Sequence, residues 1–266
     1  MSRQLFKSTA IVSSMTLISR VLGFVRDMLI ARIFGVDVAT DAFFVAFKIP
    51  NFLRRLFAEG AFAHAFVPVL ADYKEQGSKA ALKLFVDRTA GTLALILMLI
   101  TLIGIVAASL LILLLAPGFA WQGKQHDLAV LMLQITFPYL LFIGLVAFAG
   151  GILNAHGKFA IPALTPVFLN ICMIAAAIWL APLMDEPVMA LAWGVFAAGV
   201  VQLLFQLPFL MRLGLMSRFR LGFDDPGVKK IIGLMLPAIF SVSVTQINLF
   251  KWIVIGIVIY TATMDN

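Results

Sequence analysis

Arginines stand in this chain where a bilayer-spanning segment should carry only apolar side chains. The run from Thr9 to Phe34 is apolar enough to cross a membrane, yet Arg20, Arg26 and Asp27 lie near its centre. A second run, from about Asp41 to Leu70, contains Pro50 and then Asn51, Arg54, Arg55 and Glu59. At the helical rise per residue, Arg20 sits roughly 17 Å into the first run and Arg54 roughly 20 Å into the second from the opposite side. Both reach mid-membrane and can share one site. An arginine at that depth costs about 2.5–3.5 kcal/mol on insertion, so four cost on the order of 10 kcal/mol unless they meet water, partners or a ligand.

Helical spacing sorts these residues by face. Ser13, Thr16, Arg20, Gly23 and Asp27 recur every three or four positions and form one polar stripe; Ser19, Gly23 and Arg26 form an adjacent one. Gly23, common to both, leaves backbone open to a ligand. Asp27 lies two turns from Arg20, which leaves room for something between them. In the second segment a break is expected at Pro50, with Asn51, Arg54 and Arg55 following within a turn and Arg55 paired to Glu59 at i and i+4.

Charge decides between tying helices together and holding a ligand. The four arginines exceed Asp27 and Glu59 by two positive charges. A purely structural cluster predicts near balance, whereas the surplus suits a dianion such as a diphosphate, which guanidinium forks bind bidentately. Arg32, Lys48, Asp37 and Asp41 lie nearer the outer end and read as interface anchors. His64, His126 and His156 show no metal-ligand spacing, so neither a metal nor another cofactor is expected. Ser19-Arg20 resembles the start of the last motif of membrane lipid phosphatases. That chemistry needs a histidine six residues after the arginine, where this chain has Arg26, and a second histidine block that is absent, so no enzyme is expected.

The elements that must position these residues are membrane helices. Of the 266 residues 62% are hydrophobic and 12% charged, with a mean hydropathy of +1.06, which describes an all-α, polytopic transmembrane helix bundle. Seven spans are long enough: about 9–34, 41–69, 90–116, 128–154, 160–182, 188–211 and 231–262. No cleavable signal pattern precedes the first, which is expected to be retained. With the N-terminus inside, twelve basic residues fall on the cytoplasmic side against Lys124 in the outer loops. The net charge of +7 is thus mostly topology, and no nucleic-acid partner is needed. The single Cys172, within an apolar run, excludes a disulfide framework and reads as packing.

Between spans, Asp72 to Arg88 alternates charge with alanine and leucine and predicts a short amphipathic helix on the cytoplasmic face. Pro117-Gly118, Asn154 to Gly157, Asp185-Glu186-Pro187 and Asp224-Asp225-Pro226-Gly227 supply turns. The later spans are almost bare of charge. Asn170 on the fifth can bend or bond across helices, and Gln202 and Gln206 on the sixth, at i and i+4, are expected to glue helices together rather than to line a cavity.

Taken as motifs, Ser19-Arg20-Val21-Leu22-Gly23-Phe24-Val25-Arg26-Asp27 and the stretch from Ala39-Thr40-Asp41 through Pro50-Asn51-Phe52-Leu53-Arg54-Arg55 to Glu59-Gly60 resemble the N-terminal signature of the MurJ/MviN family. These are lipid II flippases of the multidrug/oligosaccharidyl-lipid/polysaccharide exporter superfamily. The resemblance continues through Ala116-Pro117-Gly118-Phe119, Thr136-Phe137-Pro138-Tyr139 and Gly151-Ile152-Leu153-Asn154 to Gln206-Leu207-Pro208 and Pro237-Ala238.

The resemblance implies an inner-membrane transporter that moves the undecaprenyl-diphosphate-linked peptidoglycan precursor, lipid II, by alternating access through a cationic cavity between two lobes. It carries substrate-binding roles onto Arg20, Arg26 and Arg54, with Ser19, Asp27, Asp41, Asn51, Arg55 and Glu59 in support. It also implies about fourteen spans in the whole transporter. Residues 1–227 would then form the N-terminal lobe, of about six helices, and 228–266 the start of the second, with a tail unlike the family's from about Phe250. The expectation is an N-terminal half, truncated by a frameshift or a premature stop, that requires the missing C-terminal lobe. The rival functions are a polysaccharide-lipid or drug exporter of the same superfamily, and a non-transporting membrane scaffold of cell-wall synthesis. A drug-cation exporter would need surplus carboxylates, which this site lacks.

Overall fold

The structure, a computed structural model, describes residues 3–54, 62–119, 123–235 and 237. Among these, nine α-helices follow one another without a strand: α1 (Arg3–Phe34), α2 (Val38–Arg54), α3 (Phe62–Gln76), α4 (Lys79–Val106), α5 (Ala108–Leu115), α6 (Gly123–Thr136), α7 (Tyr139–Ala155), α8 (Ala160–Ala175) and α9 (Met189–Arg212). A further helix begins at residue 226 and is followed to 235. Among the described residues, four stretches are long and apolar enough to cross a membrane: Lys79–Val106, Gly123–Ala155, Ala160–Leu183 and Met189–Arg212. The last three coincide with the fourth to sixth expected spans; the first overlaps the third, 90–116, but begins at Lys79 and ends at Val106, with α5 following as a separate helix. The first expected span lies within α1. Most of the seventh, with Arg55 and Glu59 of the second, lies outside the described residues.

Three boundaries differ from expectation for identifiable reasons. The helix α2 continues through Pro50 to Arg54 rather than breaking there, and Ile49 and Pro50 are buried. A proline removes one donor, and packing of the buried face outweighs that loss. No separate amphipathic helix spans 72–88. Instead α3 ends at Gln76, Ser78 caps α4 by accepting from the Ala81 N–H at 3.2 Å, and residues 79–88 are the first turns of α4. The fourth expected span is two helices, because Pro138 has no N–H to give and separates α6 from α7.

Packing divides the helices unequally. One apolar core joins α2, α6, α7 and α9 through Phe43, Met132, Leu133, Tyr139, Leu140 and Val195; a second joins α3, α4 and α7 through Phe66, Leu70, Phe85, Phe148 and Ile152. The end of α8 unwinds into a π turn over Ala176–Leu180, beside which Gly194 of α9 comes so close that a Cβ there would lie 2.9 Å from that of Ala176. Gln202 donates to the Thr165 carbonyl at 3.0 Å and Gln206 to the Thr165 hydroxyl at 2.9 Å, so these amides do join α9 to α8. By contrast, α1 rests on α8 and its π turn, α2 on α6 and α7, and α1 and α2 share no extended interface. The outer surface carries Leu102, Ile103, Val106, Leu114 and Trp179, as a lipid-facing bundle should.

Candidate functional site

Helix α1 presents two different faces. Ser13, Thr16, Arg20 and Asp27 are exposed, with the Thr16 hydroxyl donating back to the Val12 carbonyl at 2.9 Å. Ser19, Gly23 and Arg26 turn instead toward α8, where buried Asn170 meets all three. Asn170 Nδ2 donates to the Ser19 carbonyl at 2.9 Å, and Arg26 Nη1 donates to Asn170 Oδ1 at 2.9 Å. A Cβ on Gly23 would stand 3.7 Å from the Asn170 amide, so this side chain covers the backbone that the sequence suggested was open to a ligand.

The Arg26 guanidinium is thereby fixed on two sides. Its Nε and Nη2 donate to Asp27 Oδ1 at 2.9 and 2.7 Å, and Nη1 also lies 4.0 Å from the Met173 sulfur. Arg26 is 20% exposed and Asp27 62% exposed, so the pair sits at the edge of the bundle with the carboxylate outward. Asp27 thus pairs with Arg26 rather than waiting two turns from Arg20. Arg20 is exposed and makes no hydrogen bond or ion pair among the described residues.

The second helix supplies Arg54, the third of the arginines expected to bind substrate. Arg54, at the last turn of α2, donates Nε to Asn51 Oδ1 at 3.0 Å, and both are half-buried. Asp41 is exposed in the first turn of α2, between three and four turns from Arg54. The structure therefore joins Arg26 to Asp27 and Ser19, and Arg54 to Asn51, on two helices that do not pack on each other. Arg55 and Glu59 lie outside the described residues. Asn170 was legible as a residue able to bond across helices, but its partner was not: 144 positions separate it from Arg26, and no spacing rule reaches that far.

The bundle and its cation-bearing first helices define the class: an all-helical, multi-pass membrane protein with the fold of an exporter-superfamily lobe. Solved structures agree. A structure described as lipid II flippase MurJ in an inward closed conformation superposes with a TM-score of 0.72 at 29% identity, covering 90% of this chain and 49% of that one. A multidrug resistance MATE family transporter of the MOP superfamily, in an outward-facing conformation, gives 0.67 at 15% identity over 92% of this chain and 54% of its own, a likeness of fold alone.

The family model for lipid II flippase MurJ matches residues 30–261, and the chain belongs to that family. A probable lipid II flippase MurJ of Vibrio cholerae is 50% identical over 255 residues, which is 93% of this chain and 49% of the relative. The lipid II flippase MurJ of Burkholderia cenocepacia is 46% identical over 92% of this chain and 48% of its own length. The chain spans about half the length of the curated relatives it matches.

Proposed function

We propose that this chain is the N-terminal lobe of a lipid II flippase, and that Arg20, Arg26 and Arg54 take the diphosphate of the polyprenyl-linked peptidoglycan precursor. Residues 1–227 form the lobe and 228–266 begin its counterpart. The supporting observation is Arg26. Two of its nitrogens are spent on Asp27 and one on Asn170, which leaves the guanidinium oriented and partly exposed, with Arg20 on the neighbouring face of the same helix and without a partner among the described residues. That is preorganisation toward an anion, at a depth where an unmatched charge is costly. Ser19, Asp27, Asn51, Asp41, Arg55 and Glu59 support the site by orienting or offsetting these cations.

Transport by alternating access needs a second bundle against which this one rocks, so the partner required is the C-terminal lobe. The lobe sits in the bacterial inner membrane with its N-terminus cytoplasmic, because the basic residues gather on that side. The chain performs translocation, not bond chemistry. The test is growth of a strain depleted of its own flippase. This lobe joined to a C-terminal lobe should restore growth and cell shape, and the same fusion with Arg26→Ala should not, at equal protein level. Growth sustained by the Arg26→Ala fusion would remove the assignment.

A further inference from the structure

Between α9 and the helix that begins at 226, the chain runs without helix along the first turns of α4. The Arg218 N–H donates to Asp87 Oδ1 at 2.7 Å, the Arg220 N–H to the Asp87 carbonyl at 3.2 Å, and the Gly222 N–H to Thr92 Oγ1 at 3.0 Å. Every second N–H faces α4, as in an extended chain. The fit requires glycine on both sides: a Cβ on Gly91 would collide with the Arg220 backbone, and one on Gly222 with the Arg88 side chain. Asp225 closes the strap by accepting from Arg88 at 2.9 Å and from the Gly227 and Val228 N–H groups at 2.9 and 3.3 Å.

Because main-chain groups dock the strap, its side chains are left outward. Phe219 is 65% and Leu221 61% exposed, with Phe223 and Met216 also exposed, and they are interleaved with exposed Arg218 and Arg220. Neither arginine meets a carboxylate among the described residues, and Arg212, Lys229 and Lys230 flank them. The depth of this patch is readable from α4. That helix carries Lys79, Lys83, Asp87 and Arg88 in its first turns and no charge from Thr89 to Val106. The strap binds at 87–92, across the change from charged to apolar.

We propose that the strap 216–223 is an interfacial anchor, with Phe219, Leu221 and Phe223 entering the acyl boundary and Arg218 and Arg220 holding anionic phospholipid headgroups. Aromatic and basic side chains alternating at this level match a negatively charged leaflet in both polarity and sign. The proposal rests on the chain being in a membrane, not on transport.

The test uses the whole 266-residue chain carrying Met216→Cys, spin-labelled in a Cys172→Ala background, in nanodiscs of phosphatidylcholine with or without phosphatidylglycerol. Oxygen and a water-soluble nickel chelate report the depth of the label, and mass spectrometry of the intact protein counts retained phosphatidylglycerol. The label should lie at headgroup depth in the anionic discs. Arg218→Gln with Arg220→Gln should move it toward water and weaken phosphatidylglycerol retention about fivefold per arginine. Phe219→Ser with Leu221→Ser should also raise it. The unfolding midpoint should not change in either variant, since backbone N–H groups hold the strap. A label open to the nickel chelate in both discs overturns the proposal, and so does one closed to both reagents, which would mean a protein cover. Unchanged depth and retention in the arginine variant, or a lowered midpoint, would overturn it equally.

Discussion

Charged side chains are handled in opposite ways at two places in this lobe. Around Asp87 and Asp225, each carboxylate is buried and partnered within the chain: Asp87 accepts from Lys83 and the Arg218 N–H, and Asp225 from Arg88 and two backbone N–H groups. On α1 the cation is the half-buried partner, its carboxylate points outward, and Arg20 has no counter-charge among the described residues. A closed network fixes structure, since its charges are met within the chain. An open one retains a net charge that something else must meet. Their difference separates a joint that holds the outgoing strap from the cluster proposed above to take an anion.

The largest effect should come from the open network. Arg26→Ala is expected to weaken binding of a diphosphate lipid by roughly 2–5 kcal/mol, with a stability loss of no more than about 1–3 kcal/mol, because its charge partner Asp27 is exposed and only the Asn170 amide oxygen is orphaned. A titration paired with a denaturation curve checks both halves; a large stability loss would make the α1 cluster structural after all. Asp225→Ala should do the reverse. It orphans the Gly227 and Val228 N–H groups and leaves Arg88 unmatched, for about 2–3 kcal/mol of stability, and leaves lipid affinity unaltered.

Smaller changes sharpen the contrast. Asn170→Ala should lower lipid affinity by about 1 kcal/mol, since it frees one side of the Arg26 guanidinium while keeping its charge. Arg26→Lys should be weaker than wild type by a similar or slightly larger amount, because an ammonium cannot make the planar contacts to Asp27 and Asn170 together. Tyr73 gives the smallest effect. Burial and then the nearby Asp225 carboxylate raise its phenol above the usual value of 10.0. A raised acid contributes stability that is present below the unfolded value and lost as pH rises through the folded one. Wild type should therefore lose more stability than Tyr73→Phe above about pH 10, as read by denaturation at alkaline pH.

How much of this was readable beforehand depends on the range of each interaction. The spans at 160–182 and 188–211 were legible to within a residue or two, because each is a long apolar run ended by turn residues. The pairing of Gln202 and Gln206 with a neighbouring helix was also legible, since a buried amide in an apolar run must find a partner. Pro50 misled because local propensity yields to packing, and 72–88 misled because a charged first turn of a long membrane helix has the same composition as a surface helix. The dipeptide at Asp225-Pro226 was seen as a turn, although a carboxylate followed by proline is equally the start of a helix. At the candidate site, the helical faces of α1 were evident, but the choice of Asp27 as partner to Arg26, and the reach of Asn170 to Ser19, depend on how α8 is placed. Distance along the chain hides such contacts from any pattern.

In the proposed site, the guanidinium groups recognise a dianionic diphosphate in the membrane. The direct measurement is the affinity of the purified 266-residue chain, in nanodiscs, for a polyprenyl diphosphate and for the same lipid as its monophosphate. The diphosphate should bind at least about tenfold more tightly, a gap of about 1.4 kcal/mol or more, and Arg26→Ala should abolish the difference. Equal affinity for the two lipids, or a preference that survives Arg26→Ala, would contradict it.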